Sequence, residues 1–160
     1  MFKEMRRNDK LVSEAEAWAF LENCRYITLA TYGEDGFPYT TPLAFVVIDK
    51  KVYFHSMNLG HKISNIKHHP KVCLSAAKDM GDFEDAFNVY FKSTIIFGTA
   101  RLLEEGPLKT KALLEIAKKH QPHLMDKLDA YMNQKKMDTA VVEITPEHIS
   151  GKARKLPGDE

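Results

Sequence analysis

A chain of 160 residues is long enough to bury about two thirds of its unfolded surface, so one domain spanning 1–160 is expected, with no second core required. Its 23 basic and 22 acidic residues leave a formal charge of +1, which argues against a general polyanion binder, although a local basic patch stays open. No apolar run approaches the ~20 residues that span a bilayer, and MFKEMRRNDK has no signal-type apolar core, so neither a nucleic-acid nor a membrane partner is expected. Cys24 and Cys73 lie in apolar surroundings without C-x-x-C spacing and read as small buried hydrophobes, which fits a cytoplasmic location.

Ser13 and Glu16 make a capping-box pair, and Ala17, Phe20, Leu21 and Cys24 follow at one-face spacing, predicting a helix over 13 to 24. From Arg25 the period becomes two: Ile27, Leu29 and Thr31 alternate with Tyr26, Thr28 and Ala30, and Gly33 to Pro38 supplies a hairpin turn. A second strand runs from Tyr39 to Ile48, where Pro42 predicts a bulge, a bend or an unpaired edge. After the turn Asp49-Lys50-Lys51 comes a third strand, Val52 to Ser56, and the three fit an antiparallel meander.

Ile63 and Ile66 predict a short helix that must stop before Pro70. Val72 to Ala77 reads as a fourth strand, the acidic stretch Lys78 to Ala86 as an exposed loop, and Asn88 to Leu103 as a fifth strand rich in β-branched and aromatic residues. Pro107 opens a helix with Leu108, Ala112, Leu113, Ile116 and Ala117 on one face, and Leu124, Leu128, Tyr131 and Met132 mark another after Pro122. Thr139 to Thr145 is the sixth strand, followed by a tail from Pro146. Both late helices are read as packing on the sheet through their apolar stripes. The pattern indicates an α+β, mainly β protein: a six-stranded antiparallel split β-barrel with flanking helices. A doubly wound parallel fold is disfavoured, since strands and helices do not alternate and no G-x-G-x-x-G opens a helix.

Seven histidines invite a metal reading, but the pairs His55/His61, His68/His69 and His120/His123 lack a nearby cysteine or carboxylate to complete a ligand set, and no protein-held metal is expected. No G-x-S-x-G elbow is present, and His55 and Ser56 point to opposite faces of a strand, so a serine hydrolase is disfavoured. Any difficult chemistry would belong to a bound cofactor. The stretch YFHSMNLGHK suits an anionic one: Ser56 and Asn58 can cap the following helix, Gly60 lets a ligand approach the backbone, and His61 and Lys62 add a donor and a charge to the positive helix end. An ordinary capped corner with a solvated lysine fits the same residues and is the simpler reading of them alone.

The order RYITLAT, DGFPYTTPLAFV, VYFHSMNLGHKISNIKHHPKVCLS, YFKSTIIFGTARLLEE, ITPEHISGKAR resembles the FMN-binding split β-barrel proteins related to pyridoxamine 5'-phosphate oxidase, and within them the nitroimidazole-resistance, or Nim-like, branch. The resemblance implies a homodimer with two FMN sites at the subunit interface. It places Tyr39, Thr40, Thr41, Pro42 and Leu43 under the isoalloxazine ring, His55 and Ser56 beside the ring and ribityl chain, and Gly60, His61 and Lys62 at the phosphate. Ser93, Lys152 and Arg154 are further cofactor candidates, and His55 would tune the flavin or hold the substrate as the one catalytic candidate. The activity implied is FMN-dependent electron transfer to a small acceptor such as a nitroaromatic. The chain lacks the basic R-x-V-L-L-K strand of the pyridoxamine phosphate oxidases proper, which argues against vitamin B6 oxidation. A haem-binding or haem-degrading split barrel and a non-catalytic flavin-binding protein are the alternatives, and residue types do not separate FMN from a deazaflavin.

Overall fold

Alternating apolar residues bury one face of the strands around Leu29, Leu74 and Ile96, and in the computed structural model, which describes residues 2–83, 87–128, 130, 133 and 139–154, the strands join into one antiparallel sheet. Its strands are β1 (Leu11–Val12), β2 (Tyr26–Tyr32), β3 (Pro38–Ala44), β4 (Val46–Ile48), β5 (Lys51–Met57), β6 (Lys71–Asp82), β7 (Val89–Leu102) and β8 (Thr139–Arg154). The helices are α1 (Glu14–Asn23), α2 (His61–His68) and α3 (Pro107–His120). The strands lie in the order β3-β2-β6-β7-β8-β5-β4, with β1 added to β8.

β3 and β4 are two halves of one predicted strand, separated by Phe45 alone. The first half pairs with β2 and the second with β5, so the chain itself links the two ends of the row and curls the sheet into a half-barrel. The predicted meander therefore exists, bent in its middle strand. The bend falls at Phe45 and not at Pro42, which stays paired opposite Thr28. Bending removes the Phe45 carbonyl from the ladder; it accepts instead from Nε2 of His120 at 2.9 Å, while Lys119 Nζ sits 3.9 Å from the Phe45 ring centroid. Counting the bent strand once and setting the two-residue β1 aside leaves the six strands expected.

Two segments differ from the sequence reading. β8 continues through Pro146 to Arg154 in place of a tail, because a register shift opposite Phe97 and Gly98 absorbs the proline. The residue between the shifted pairs, Glu147, accepts from Lys71 and Thr99. β6 likewise runs on to Asp82 where a loop was predicted, with a second irregularity between Asp79 and Gly81; residues 84–86 lie outside the described residues. The predicted helix from Leu124 opens as a tight turn, Pro122–Lys127, and Tyr131 and Met132 lie outside the described residues.

The capping box at Ser13 is present: its hydroxyl accepts from the Glu16 amide at 3.2 Å, and the Glu16 carboxylate accepts from the Ser13 amide at 2.9 Å. α1 puts Trp18 and Leu21 into the barrel core with Ile27, Leu29, Phe54, Leu74 and Ile96. α3 covers the outer face, packing Ala112, Leu113 and Ile116 on Val46, Tyr53 and Val141. Beside it lies a buried carboxylate, Glu143, which accepts from the Tyr53 hydroxyl at 2.7 Å and Arg101 Nε at 2.7 Å, with Lys51 Nζ at 3.3 Å. Burial pushes the Glu143 carboxyl up, but the bonds from Arg101, Tyr53 and Lys51 outweigh it and hold the group below its ordinary range. The Tyr53 phenol is driven well above its ordinary value by burial first and by that carboxylate second.

Candidate functional site

The corner between β5 and α2 is built by one buried polar contact. Asn65, buried on α2, donates through Nδ2 to the Thr31 hydroxyl of β2 at 3.0 Å, and that hydroxyl donates to the Tyr39 carbonyl of β3 at 3.4 Å. Gly33 permits the approach, since a Cβ there would meet Asn65 Oδ1 at 2.5 Å. Ile63 and Ile66 of the same helix enter the barrel core. Together these contacts hold the start of α2 against the β2–β3 hairpin. Tyr39 then stacks on His61 with ring centroids 4.2 Å apart, and His61 Nε2 lies 3.8 Å from the Asp35 carboxylate on the hairpin loop. At the other end of α2, His68 Nδ1 lies 3.2 Å from Glu34.

The start of α2 differs from the reading in which Ser56 and Asn58 cap it. The N-cap is Gly60, with φ 110° and ψ 168°, a conformation that favours glycine, and no side chain caps the helix. Nothing lies within 4 Å of where a Gly60 Cβ would stand, so the glycine serves the backbone angle and leaves open space beside the first turn. Amides at such an end point outward and carry the positive pole of the helix. His61 opens the first turn and the half-buried Lys62 follows it. The corner also exposes apolar surface: Met57 is 60% and Leu59 79% exposed, and Phe37 on the neighbouring hairpin 73%.

On β3 the side chains alternate. Tyr39, Thr41 and Leu43 sit opposite Thr31, Leu29 and Ile27, whose side chains are buried, while Thr40 and Pro42 are exposed on the other face. On β5, His55 and Ser56 are half-buried opposite Val141 and Ala140 and face opposite ways. Thus Tyr39, Gly60, His61 and Lys62 converge, with His55 and Ser56 on the strand leading into the corner. Within the one chain, Ser93 and Lys152 lie apart from them. They pair with each other across β7 and β8 and line a cavity beside α1, while Arg154 follows at the end of β8. Asn65 and Asp35 escape the sequence reading; the only local signal was a glycine, Gly33, at the hairpin that Asn65 reaches. Among the described residues, no three of His, Cys, Asp and Glu are grouped to hold a metal, and no helix is long and apolar enough to cross a membrane.

The sequence matches the family model of pyridoxamine 5'-phosphate oxidase over residues 13–153. The chain belongs to that family. The match takes in α1, α2 and α3 and the strands from β2 to nearly the end of β8. Solved structures agree on the fold. A conserved hypothetical protein of Mycobacterium tuberculosis superposes with a TM-score of 0.78 at 22% identity, covering 98% of this chain and 99% of its own. A protein of Bacteroides thetaiotaomicron described for 5-nitroimidazole antibiotic resistance gives 0.73 at 17% identity, covering 89% and 86%. The flavocytochrome of Azotobacter vinelandii gives 0.81 at 21% identity, covering 96% of this chain and 73% of that one. No curated protein sequence matches this family member at a significant level.

Proposed function

We propose that this pyridoxamine 5'-phosphate oxidase family member binds FMN at the β5–α2 corner and passes electrons from the reduced flavin to a small acceptor such as a nitroaromatic. One observation carries the reading: the open, uncapped start of α2 at Gly60, with His61 and Lys62 on its first turn and the Tyr39 strand beside it. A phosphate monoester suits that donor set, because outward amides, an imidazole and an ammonium approach it from different sides. The exposed apolar rim of Met57, Leu59 and Phe37 suits the flat ring that the phosphate would tether.

Bound FMN supplies the redox chemistry, accepting and donating electrons at its ring. The protein's residues bind and orient. Lys62 and the amides at the start of α2 hold the phosphate; Tyr39 to Leu43 offer backbone groups along the ring edge; Asn65 fixes the distance between the two. His55, on the strand that enters the corner, tunes the ring or holds the acceptor. The homodimer belongs to the same reading. The outer face of the sheet leaves Tyr26, Ile95 and Phe97 from 39% to 58% exposed across β2 and β7, a surface a second copy would cover while bringing its own side chains to the flavin.

The test is the visible spectrum of the purified protein, followed by turnover of a nitroaromatic with a chemical reductant. Flavin absorption with acceptor-dependent reoxidation supports the proposal. A Soret band identifies the haem-binding alternative, and bound flavin without turnover identifies a non-catalytic flavin carrier.

A further inference from the structure

If the register of the β4–β5 pairs carried on past Val46 and Tyr53, β3, β4 and β5 would form one straight hairpin. Phe45 would then stand opposite Phe54, Ala44 opposite His55 and Leu43 opposite Ser56. The bend at Phe45 prevents this. β3 turns away and pairs along one side with β2, while β5 beyond Tyr53 pairs along one side with β8. Among the described residues, the other edge of each pairs with no strand, so Tyr39 to Ala44 and Phe54 to Met57 form the two lips of a split. Backbone groups on those lips are open to a ligand.

The bend is held from the end of α3. Phe45 is fully buried with its ring in the barrel core, so its carbonyl, turned out of the ladder, would be orphaned away from water without a donor. His120 supplies that donor through Nε2 at 2.9 Å, and Lys119 Nζ lies 3.9 Å from the Phe45 ring centroid. α3 reaches the bend because Ala112, Leu113 and Ile116 pack on Val46 and Tyr53, the last pair of the β4–β5 ladder. Without His120, the other way to satisfy the Phe45 carbonyl is to extend that ladder. Extension would close the split and use up the backbone groups offered to the ring edge.

Resting on the flavin reading of the β5–α2 corner, we infer that His120 is a positioning residue for the flavin ring: through the Phe45 carbonyl it holds the β3 and β5 edges apart and keeps their backbone groups free. Riboflavin and FMN are titrated by fluorescence into wild type, His120→Phe and His120→Gln. Phenylalanine fills the same space without a donor, and the glutamine amide restores a donor at similar reach. His120→Phe should weaken both flavins roughly tenfold, the worth of one lost hydrogen bond to a buried acceptor. The ratio of the two affinities should stay as in wild type, because Gly60, His61 and Lys62 are untouched. His120→Gln should return both to within about threefold of wild type. Ser13→Ala, which opens the capping box of α1, should change neither affinity and so separates ring positioning from loss of stability as such. If His120→Phe does not fold, His120→Asn, whose amide is too short to reach the carbonyl, replaces it in the comparison with His120→Gln. Unchanged riboflavin affinity in the donorless variant, a loss confined to FMN, or a loss that glutamine does not reverse would each overturn the inference and leave the flavin reading in place. A wild-type protein that binds neither flavin would overturn the flavin reading and this inference with it.

Discussion

Replacing Glu143 by glutamine tests how the sheet is held beneath α3. The carboxylate is 2% exposed and takes three donors, but their situations differ. Arg101 is 62% and Lys51 38% exposed, so both can be rehydrated when the charge goes, and each loses only ~0–1 kcal/mol. Tyr53 is buried, and its bond to a charged acceptor is worth ~1.5–3 kcal/mol. The sum is about 1.5–5 kcal/mol, a fall in melting temperature of roughly 3–20 °C for a chain of this size. Thermal melts of wild type and Glu143→Gln across pH give the assay. The folded carboxyl lies below its unfolded value, so its contribution is complete above the ordinary carboxylate range and fades as pH falls through the folded value. The gap between the two proteins should therefore be full at neutral pH and close in acid. A gap under ~2 °C at neutral pH, or one that persists unchanged in acid, would refute the reasoning.

Three further substitutions probe the corner and its supports. Gly60→Ala meets no atom but forces alanine into a glycine conformation, at ~1–3 kcal/mol, and should lower both the melting temperature and FMN affinity in a fluorescence titration. Asn65→Leu removes the donor to Thr31 and should cost ~1–3 kcal/mol in urea unfolding, weakening FMN binding beyond what stability alone explains because α2 loses its tie to the hairpin. Ser13→Ala opens the capping box and should cost ~1 kcal/mol, a few degrees by calorimetry, while leaving FMN affinity unchanged.

Local chemistry was the legible part of the fold. Ser13 with Glu16, Pro107, and the turn at Asp49 and Lys50, both with positive φ, each act within a few residues of themselves. The length of β8 was hidden because a proline at position 146 is a stop signal unless a bulge receives it, and the bulge depends on β7, far away in sequence. β6 was cut short for a related reason: Lys78 to Asp82 has the composition of a loop and is held as strand by pairing with β7. The placement of Gly60, His61 and Lys62 at one strand-to-helix corner was readable because the three are consecutive in the chain. The distance of Ser93 and Lys152 from that corner within one chain was not, since it depends on the order of strands in the sheet. Closure at Phe45 was equally unreadable, because it satisfies the freed carbonyl with a histidine from α3.

The most direct test of the account compares FMN with riboflavin, which has the same ring and no phosphate, in parallel fluorescence titrations of wild type and Lys62→Ala. Phosphate held by the start of α2 predicts that wild type binds FMN roughly a hundredfold more tightly than riboflavin, as two charge-assisted hydrogen bonds would give. Lys62→Ala should remove about a factor of ten or more of that preference and leave riboflavin binding as it was. Equal affinity of wild type for the two flavins, or a preference for FMN that Lys62→Ala leaves intact, would contradict the assignment.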